Sequence, residues 1–191
     1  MDNPPAGQST PGQIERYRSY LLLLARLQMD PLWRGKIDPS DIVQQTLVDV
    51  RERWHQLGTD NAELGAWLRK ALANNLADAI RKLKTTKRDI ALERPLDQLL
   101  EESSAALARW LAADQTSVSA RAIRNEDLLN MAQALQSLSE PQREAIVWHH
   151  LQGCTLKETA RHLDRSDAAT AGLLHRGLKT LRELMRADKS S

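Results

Sequence analysis

TLKETARHLDRSDAATAGLLHRGLKTLRELM, residues 155–185, decides how this chain is read. Thr155 followed three positions later by Glu158 has the spacing of a capping box, so a helix is expected to begin at Leu156. Leu156, Ala160 and Leu163 put small and apolar groups on one of its faces. Asp164, Arg165 and Ser166 interrupt that pattern, and Ser166 can cap a second helix. There Leu174, Leu178, Leu181 and Met185 recur at helical spacing as an amphipathic stripe. Two helices joined by so short a turn make a helix-turn-helix, whose second helix can enter a DNA major groove. The same residues also suit an ordinary helical hairpin in an all-α core, and the pair alone leaves both readings open.

Composition narrows the rest. With 191 residues the chain has room for one or two small domains. Ala, Leu, Arg and Gln are abundant, which favours helix over sheet. Aromatic residues are 4% of the chain and Phe is absent, so the cores must be mainly aliphatic. Cys154 is the single cysteine, which excludes an internal disulfide and a zinc site built on several thiolates. The opening MDNPPAGQSTPGQ lacks the basic and apolar regions of a signal peptide, and LLLLA at 21–25 is too short to cross a bilayer. A cytoplasmic protein with no membrane insertion is expected.

The net charge of +2 hides a division. Residues 66–90 hold seven basic groups against two acids, residues 93–114 two against five, and residues 141–186 eight against five. Two cationic segments flanking an acidic one suit two contacts with a polyanion, because neutralising phosphates releases counterions. Solvated helix faces would give the same tally.

In chain order, residues 1–12 are polar and rich in Pro and Gly and are expected to be disordered. A helix is expected over 14–29. Asp38, Pro39, Ser40 and Asp41 form a helix start, and that helix should run to Trp54 and bury Ile42, Leu47, Val50 and Trp54. A third helix over 63–83 should turn Ala66, Trp67, Leu68, Leu72, Leu76, Ala79, Ile80 and Leu83 to the core and leave Arg69 and Lys70 outside. These three helices make a first domain over 13–91. Residues 92–119 read as a partly ordered linker with a short helix over 96–110 inside it, since Ser103, Ser104 and the run 115–119 are weak helix formers. A second domain is expected over 120–187, with a further capping box at Ser139. The fold class is all-α: two small helical domains, the C-terminal one a helix-turn-helix.

Four stretches of this layout resemble a known family. DIVQQTLVDVRERW at 41–54, AWLRKALANNLADAIRK at 66–82, LSEPQREAIVWHHLQGCTLKETARHL at 138–163 and LLHRGLKTLREL at 173–184 are similar to bacterial RNA polymerase sigma factors of the two-domain, extracytoplasmic-function type. The resemblance runs from residue 14 to residue 186. It implies an alternative sigma factor that binds RNA polymerase core, through the β′ clamp and the β flap, and directs it to specific promoters. An anti-sigma protein is a further partner it allows. The runner-up is a helix-turn-helix regulator acting without polymerase docking.

The resemblance also assigns residues. The first stretch is similar to the helix that docks on the polymerase clamp, with Asp41, Gln44, Gln45 and Asp49 as the contacts. The second is similar to the helix that melts and reads the minus-ten element; Arg69, Lys70, Arg81 and Lys82 would contact phosphates and Asn75 a flipped base, since an amide both donates and accepts. In the recognition helix, Ala169, Ala171, Leu173, Arg176 and Lys179 would face the minus-thirty-five element. Three departures stand out. Gln45 replaces a common Glu, Asp164 replaces a Gly at a turn position that often needs a left-handed backbone, and Ala168-Ala169-Thr170-Ala171-Gly172-Leu173 replaces a pattern with two basic residues. Leu173 would then be exposed towards DNA, and recognition would be weak or biased to apolar contacts such as thymine methyls. No enzyme is expected and no cofactor or metal. His149 and His150 are adjacent rather than a turn apart, His162 and His175 lack an acidic partner motif, and Cys154 has no sequence-linked base.

Overall fold

The computed structural model describes residues 11–29, 35–52, 61–84, 95–114 and 125–188, and among these there are helices and no strand. Trp54, Lys87, Arg88, residues 115–119, Ile123 and the first ten residues lie outside that set. The chain divides into two compact units, Met1–Ser104 and Ala105–Ser191.

In the first unit, α1 (Pro11–Arg16) and α2 (Arg18–Gln28) replace the single helix expected over 14–29. Tyr17 separates them with a tighter bond, its N–H donating to Ile14 O at 3.0 Å, and Leu21 N–H then restores the α pattern onto Tyr17 O. Pro11 and Gly12, expected to be disordered, start α1. Helix α3 is Pro39–Glu52 and α4 is Asn61–Lys84. Asp38 caps α3 by accepting from Ser40 N–H at 2.8 Å. Val43, Thr46, Leu47 and Val50 of α3 are buried, while Ile42 is only half-buried. On α4, Leu64, Leu68, Leu72, Leu76 and Ile80 form the inward line. Ala66, expected in the core, is exposed, and Ala79, Leu83 and Trp67 are half-buried. Helices α2, α3 and α4 pack on one another around this aliphatic core, with Tyr20, Leu21 and Leu24 from α2 inside it.

Helix α5 (Leu96–Asp114) has 19 residues; it begins where the short helix over 96–110 was expected and runs on to Asp114. The division between the units falls within it. Ser103 and Ser104, read as helix-weakening, are held by side chains of α2: Gln28 donates to Ser103 Oγ at 2.7 Å and Tyr20 OH to Ser104 Oγ at 2.7 Å.

The second unit continues with α6 (Asn125–Ser137), α7 (Glu140–Ile146), a π-helical turn at Val147–Leu151, α8 (Leu156–His162) and α9 (Asp167–Asp188). Ser139 occupies the N-cap position of α7, but its side chain makes no capping hydrogen bond. Pro141 sits at the second helical position and has no N–H to offer, so one of the two usual donors is missing. Gly153 ends the π turn at φ 71°, a conformation glycine adopts without steric cost. Helix α9 packs on α6, α7 and α8. Gly177 is what lets α9 approach α7: a Cβ there would lie 3.0 Å from Ile146 Cδ1 and 3.3 Å from Gln142 Cβ.

Candidate nucleic-acid interface

The capping box at the start of α8 forms as expected. Thr155 Oγ1 accepts from Glu158 N–H at 3.3 Å, and the Glu158 carboxylate accepts from Thr155 N–H at 2.8 Å and from its hydroxyl at 2.7 Å. Those bonds, the hydroxyl's first, hold the Glu158 carboxyl below its ordinary pKa. At the other end of α8, Asp164 has φ 51°, the left-handed backbone its position was expected to need. Asp164 N–H donates to Arg161 O at 3.2 Å and Arg165 N–H to Ala160 O at 3.0 Å, a Schellman motif closed by Asp instead of Gly. Ser166 then caps α9, its Oγ accepting from Ala169 N–H at 3.2 Å. Thr159 and Thr170 are fully buried and satisfy their hydroxyls on the carbonyls four residues back, Thr155 O and Ser166 O. The turn is therefore a backbone Schellman closure flanked by side-chain caps.

Thr170, Leu174, Gly177 and Leu181 are the buried line of α9. At about 100° per residue, the opposite line runs through Ala168, Gly172, Arg176 and Lys179. Arg176 and Lys179 are exposed, as expected. Ala169 and Ala171 are exposed too, but they sit on the two flanks of that line rather than together. Leu173, expected to be exposed towards DNA, is half-buried, because its position is only about 70° from the centre of the buried line. Gly172 has a local use: a Cβ there would meet the Arg176 guanidinium at 3.1 Å, so the arginine lies back along the helix over the glycine. Farther on, His175, Lys179, Arg182 and Arg186 line a shallow hollow of about 330 Å³ with Leu178 and Glu183. His175 and Arg186 went unassigned as contacts because their spacing is visible only once the buried line is fixed. Lys157, Arg161 and Arg165 add exposed cations from α8 and the turn.

Beside the motif, two aromatic stacks fix the π turn. Trp148 lies on His162 of α8 with ring centroids 3.9 Å apart, and Trp110 of α5 lies on His150 at 5.2 Å. His149 Nδ1 contacts Cys154 O at 2.8 Å. Burial first, and then the Glu158 charge, raise the Cys154 pKa, so the thiol stays protonated.

In the first unit, Asp41, Gln44 and Gln45 are exposed along α3 and Asp49 is half-buried. Gln44 accepts from Arg18 Nη1 at 3.0 Å, and Gln45 donates to Asp49 Oδ1 at 2.7 Å. Between them Val48 is 39% exposed, the large apolar side chain most open to solvent among the described residues. A polar face with an apolar centre suits a protein partner better than DNA. Val48 was not singled out from sequence because a lone exposed valine carries no periodic signal.

Asn75 ties the two assigned sets together. Its amide nitrogen donates to Thr46 Oγ1 at 3.1 Å and to Asp49 Oδ2 at 2.9 Å, so both amide hydrogens point to α3. Thr46, fully buried, in turn donates to Ile42 O at 2.8 Å. Asp49, Trp67, Lys70, Ala71, Asn74 and Asn75 line an open hollow of about 380 Å³. Lys70, Arg81 and Lys82 are exposed, and Arg81 pairs with Asp78 at 2.6 Å. Arg69 differs from its expected exposure. Its side chain is 16% exposed and forms a forked pair with Glu101 of α5, Nε to Oε2 at 2.7 Å and Nη2 to Oε1 at 3.3 Å. Burial alone would lower its pKa; Tyr20 and Glu101 outweigh that and raise it.

The second unit thus defines a helix-turn-helix of the sigma class: the sigma-70 region 4 family model matches residues 128–181. Relatives extend the likeness along the chain. The RNA polymerase sigma-E factor of Streptomyces coelicolor is 26% identical over 181 residues, covering 90% of this chain and 87% of that protein. The ECF RNA polymerase sigma factor SigX of Bacillus subtilis is 25% identical over 152 residues, covering 80% and 73%. The ECF RNA polymerase sigma factor BldN of Streptomyces coelicolor is 25% identical over 81% of this chain and 53% of its own length. Residues 128–181 match sigma-70 region 4, and the chain as a whole is similar to sigma factors of the extracytoplasmic-function type.

Proposed function

We propose that the chain binds RNA polymerase core enzyme and directs it to specific promoters for transcription initiation. The observation that carries this reading is the helix-turn-helix itself, with both caps, the left-handed turn residue and an exposed cationic line on α9, lying within the residues that match sigma-70 region 4. It stands in a chain that aligns with a sigma factor over 90% of its length. The exposed face of α3, with Asp41, Gln44 and Gln45 around Val48, docks on the β′ clamp, and the second unit engages the β flap. An anti-sigma protein would compete for the same α3 face. Lys70, Arg81 and Lys82 follow the DNA backbone near the minus-ten element. At Asn75 the amide hydrogens are engaged by α3, so base reading there uses its carbonyl oxygen or requires those bonds to open. Among the described residues no helix is long and apolar enough to cross a membrane.

On α9, small side chains at Ala168, Ala169, Ala171 and Gly172 let the helix approach DNA closely but supply no bidentate donor to a base edge. Arg176 and Lys179 supply phosphate contacts, which position without specifying. Replacing Arg176 with Ala is expected to weaken duplex promoter binding across sequences and to reduce the slope of log affinity against log salt by about one. A fluorescence-anisotropy titration at several salt concentrations checks this. Unchanged affinity and slope would remove α9 from the interface.

A further inference from the structure

The fold turns the guanidinium of Arg69, one of the assigned minus-ten cations, onto an acid of α5. Its two forked bonds to Glu101 are joined by a third, from Nη1 to Tyr20 OH at 3.3 Å. Tyr20 is buried and donates onward to Ser104 Oγ, so it accepts from Arg69 while holding α5. Gln28 of α2 grips the same stretch of α5 through Leu99 O at 3.3 Å and Ser103 Oγ at 2.7 Å. The two ends of the pair are unequal: the Arg69 side chain is 16% exposed and the Glu101 side chain 64%. The cation is fixed in the wall of the unit, and the acid covers it from the solvent side.

A guanidinium fork accepts a carboxylate and a phosphodiester in the same planar, two-bond geometry. We propose that Glu101 is an internal stand-in for a nucleic-acid phosphate: the Arg69 guanidinium, held in place by the Tyr20 hydroxyl, is a phosphodiester site that α5 occupies in the free chain, and DNA loading exchanges one anion for the other. This rests on the reading of α4 as the DNA-facing helix. An ion pair with one partner this exposed is weak, so a phosphate whose binding also releases counterions can displace it. The acidic run 93–114 next to the basic run 66–90 is then a competitor that discourages loading on the wrong DNA. A phosphate backbone with properly placed neighbouring contacts wins; an isolated phosphate does not.

The test uses the full chain and a fluorescently labelled single-stranded oligonucleotide of mixed sequence. Glu101→Gln removes the charge and keeps the shape, and is expected to tighten binding about two- to five-fold, the range set by an exposed ion pair. Its salt slope should steepen by about one, from the phosphate gained by Arg69. Asp97→Asn removes the same charge one turn earlier on α5, from an exposed carboxylate outside the Arg69 fork, and should change affinity less. In an Arg69→Gln background, or in Arg69→Lys if the first variant melts early by circular dichroism, the gain from Glu101→Gln should fall to that of Asp97→Asn. Amide exchange over 99–104 should rise when oligonucleotide binds the natural chain. Binding that ignores Glu101, or a gain that survives without Arg69, overturns the stand-in and leaves the DNA-facing reading of α4 intact. Absence of oligonucleotide binding in every variant overturns both.

Discussion

The Glu158 carboxylate closes the first turn of α8 by accepting from both the N–H and the hydroxyl of Thr155. A carboxyl held below its unfolded value contributes stability that is complete above the unfolded pKa, here ordinarily 4.5, and is lost as pH falls through the lower folded value. Glu158→Gln keeps an acceptor but does not titrate. The natural chain should therefore resist urea better than the variant near neutral pH, and the gap should close progressively below about pH 4.5. A gap that stays constant down to acid would show that the carboxylate charge plays no part in the cap. At this scale the sequence was most legible where a bond is local. Thr155 with Glu158 and Ser166 with Ala169 follow from spacing, while the left-handed Asp164 was implied by the resemblance, at a residue type that tolerates it. Asn75 and Arg69 were not legible in that way. Their partners, Asp49 and Glu101, lie 26 and 32 positions away and depend on how α3 and α5 dock.

Helix α9 carries two glycines that look alike in sequence and act differently in structure. Alanine is the better helix former by about 1 kcal/mol at either position when nothing obstructs it. At Gly172 the new methyl meets only the mobile end of Arg176, so Gly172→Ala should stabilise the second unit by up to about 1 kcal/mol. At Gly177 it meets Ile146 Cδ1 and Gln142 Cβ at the α7 contact, and overpacking of about 1–3 kcal/mol exceeds the propensity gain. Gly177→Ala should thus destabilise. Thermal unfolding of the two variants should shift in opposite directions, and a shared direction would contradict the close α7–α9 approach. The helices themselves were legible from periodicity. That includes most of α5, whose order at Ser103 and Ser104 was not legible, because these residues weaken an isolated helix but here are held by Gln28 and Tyr20. Nor was the π turn, whose Trp148 and His150 find stacking partners on α8 and α5.

At the scale of the whole chain, the charge order basic, acidic, basic has structural counterparts: an exposed cationic strip on each of α4 and α9, and between them in sequence the acidic α5 that engages Arg69. The all-α class and the two helices within residues 155–185 came from composition, capping and spacing, and the choice of a helix-turn-helix over a plain hairpin came from the resemblance. The individual contact residues came from resemblance, and the structure redistributes them: Lys70, Arg176 and Lys179 are presented to solvent, Leu173 and Asn75 turn inward in part, and Arg69 is engaged. Docking on polymerase is the claim on which the rest depends, since a helix-turn-helix regulator would bind DNA without it. The most direct measurement is binding of the purified, folded chain to bacterial core RNA polymerase, alongside an Asp41→Arg, Gln44→Ala double variant. The natural chain is expected to bind, and the variant, which reverses one charge and removes one amide on the exposed face of α3, to lose most of that affinity while keeping its helical content. Equal binding by both would move the docking surface elsewhere, and no binding by the natural chain would contradict the sigma-factor account of its function.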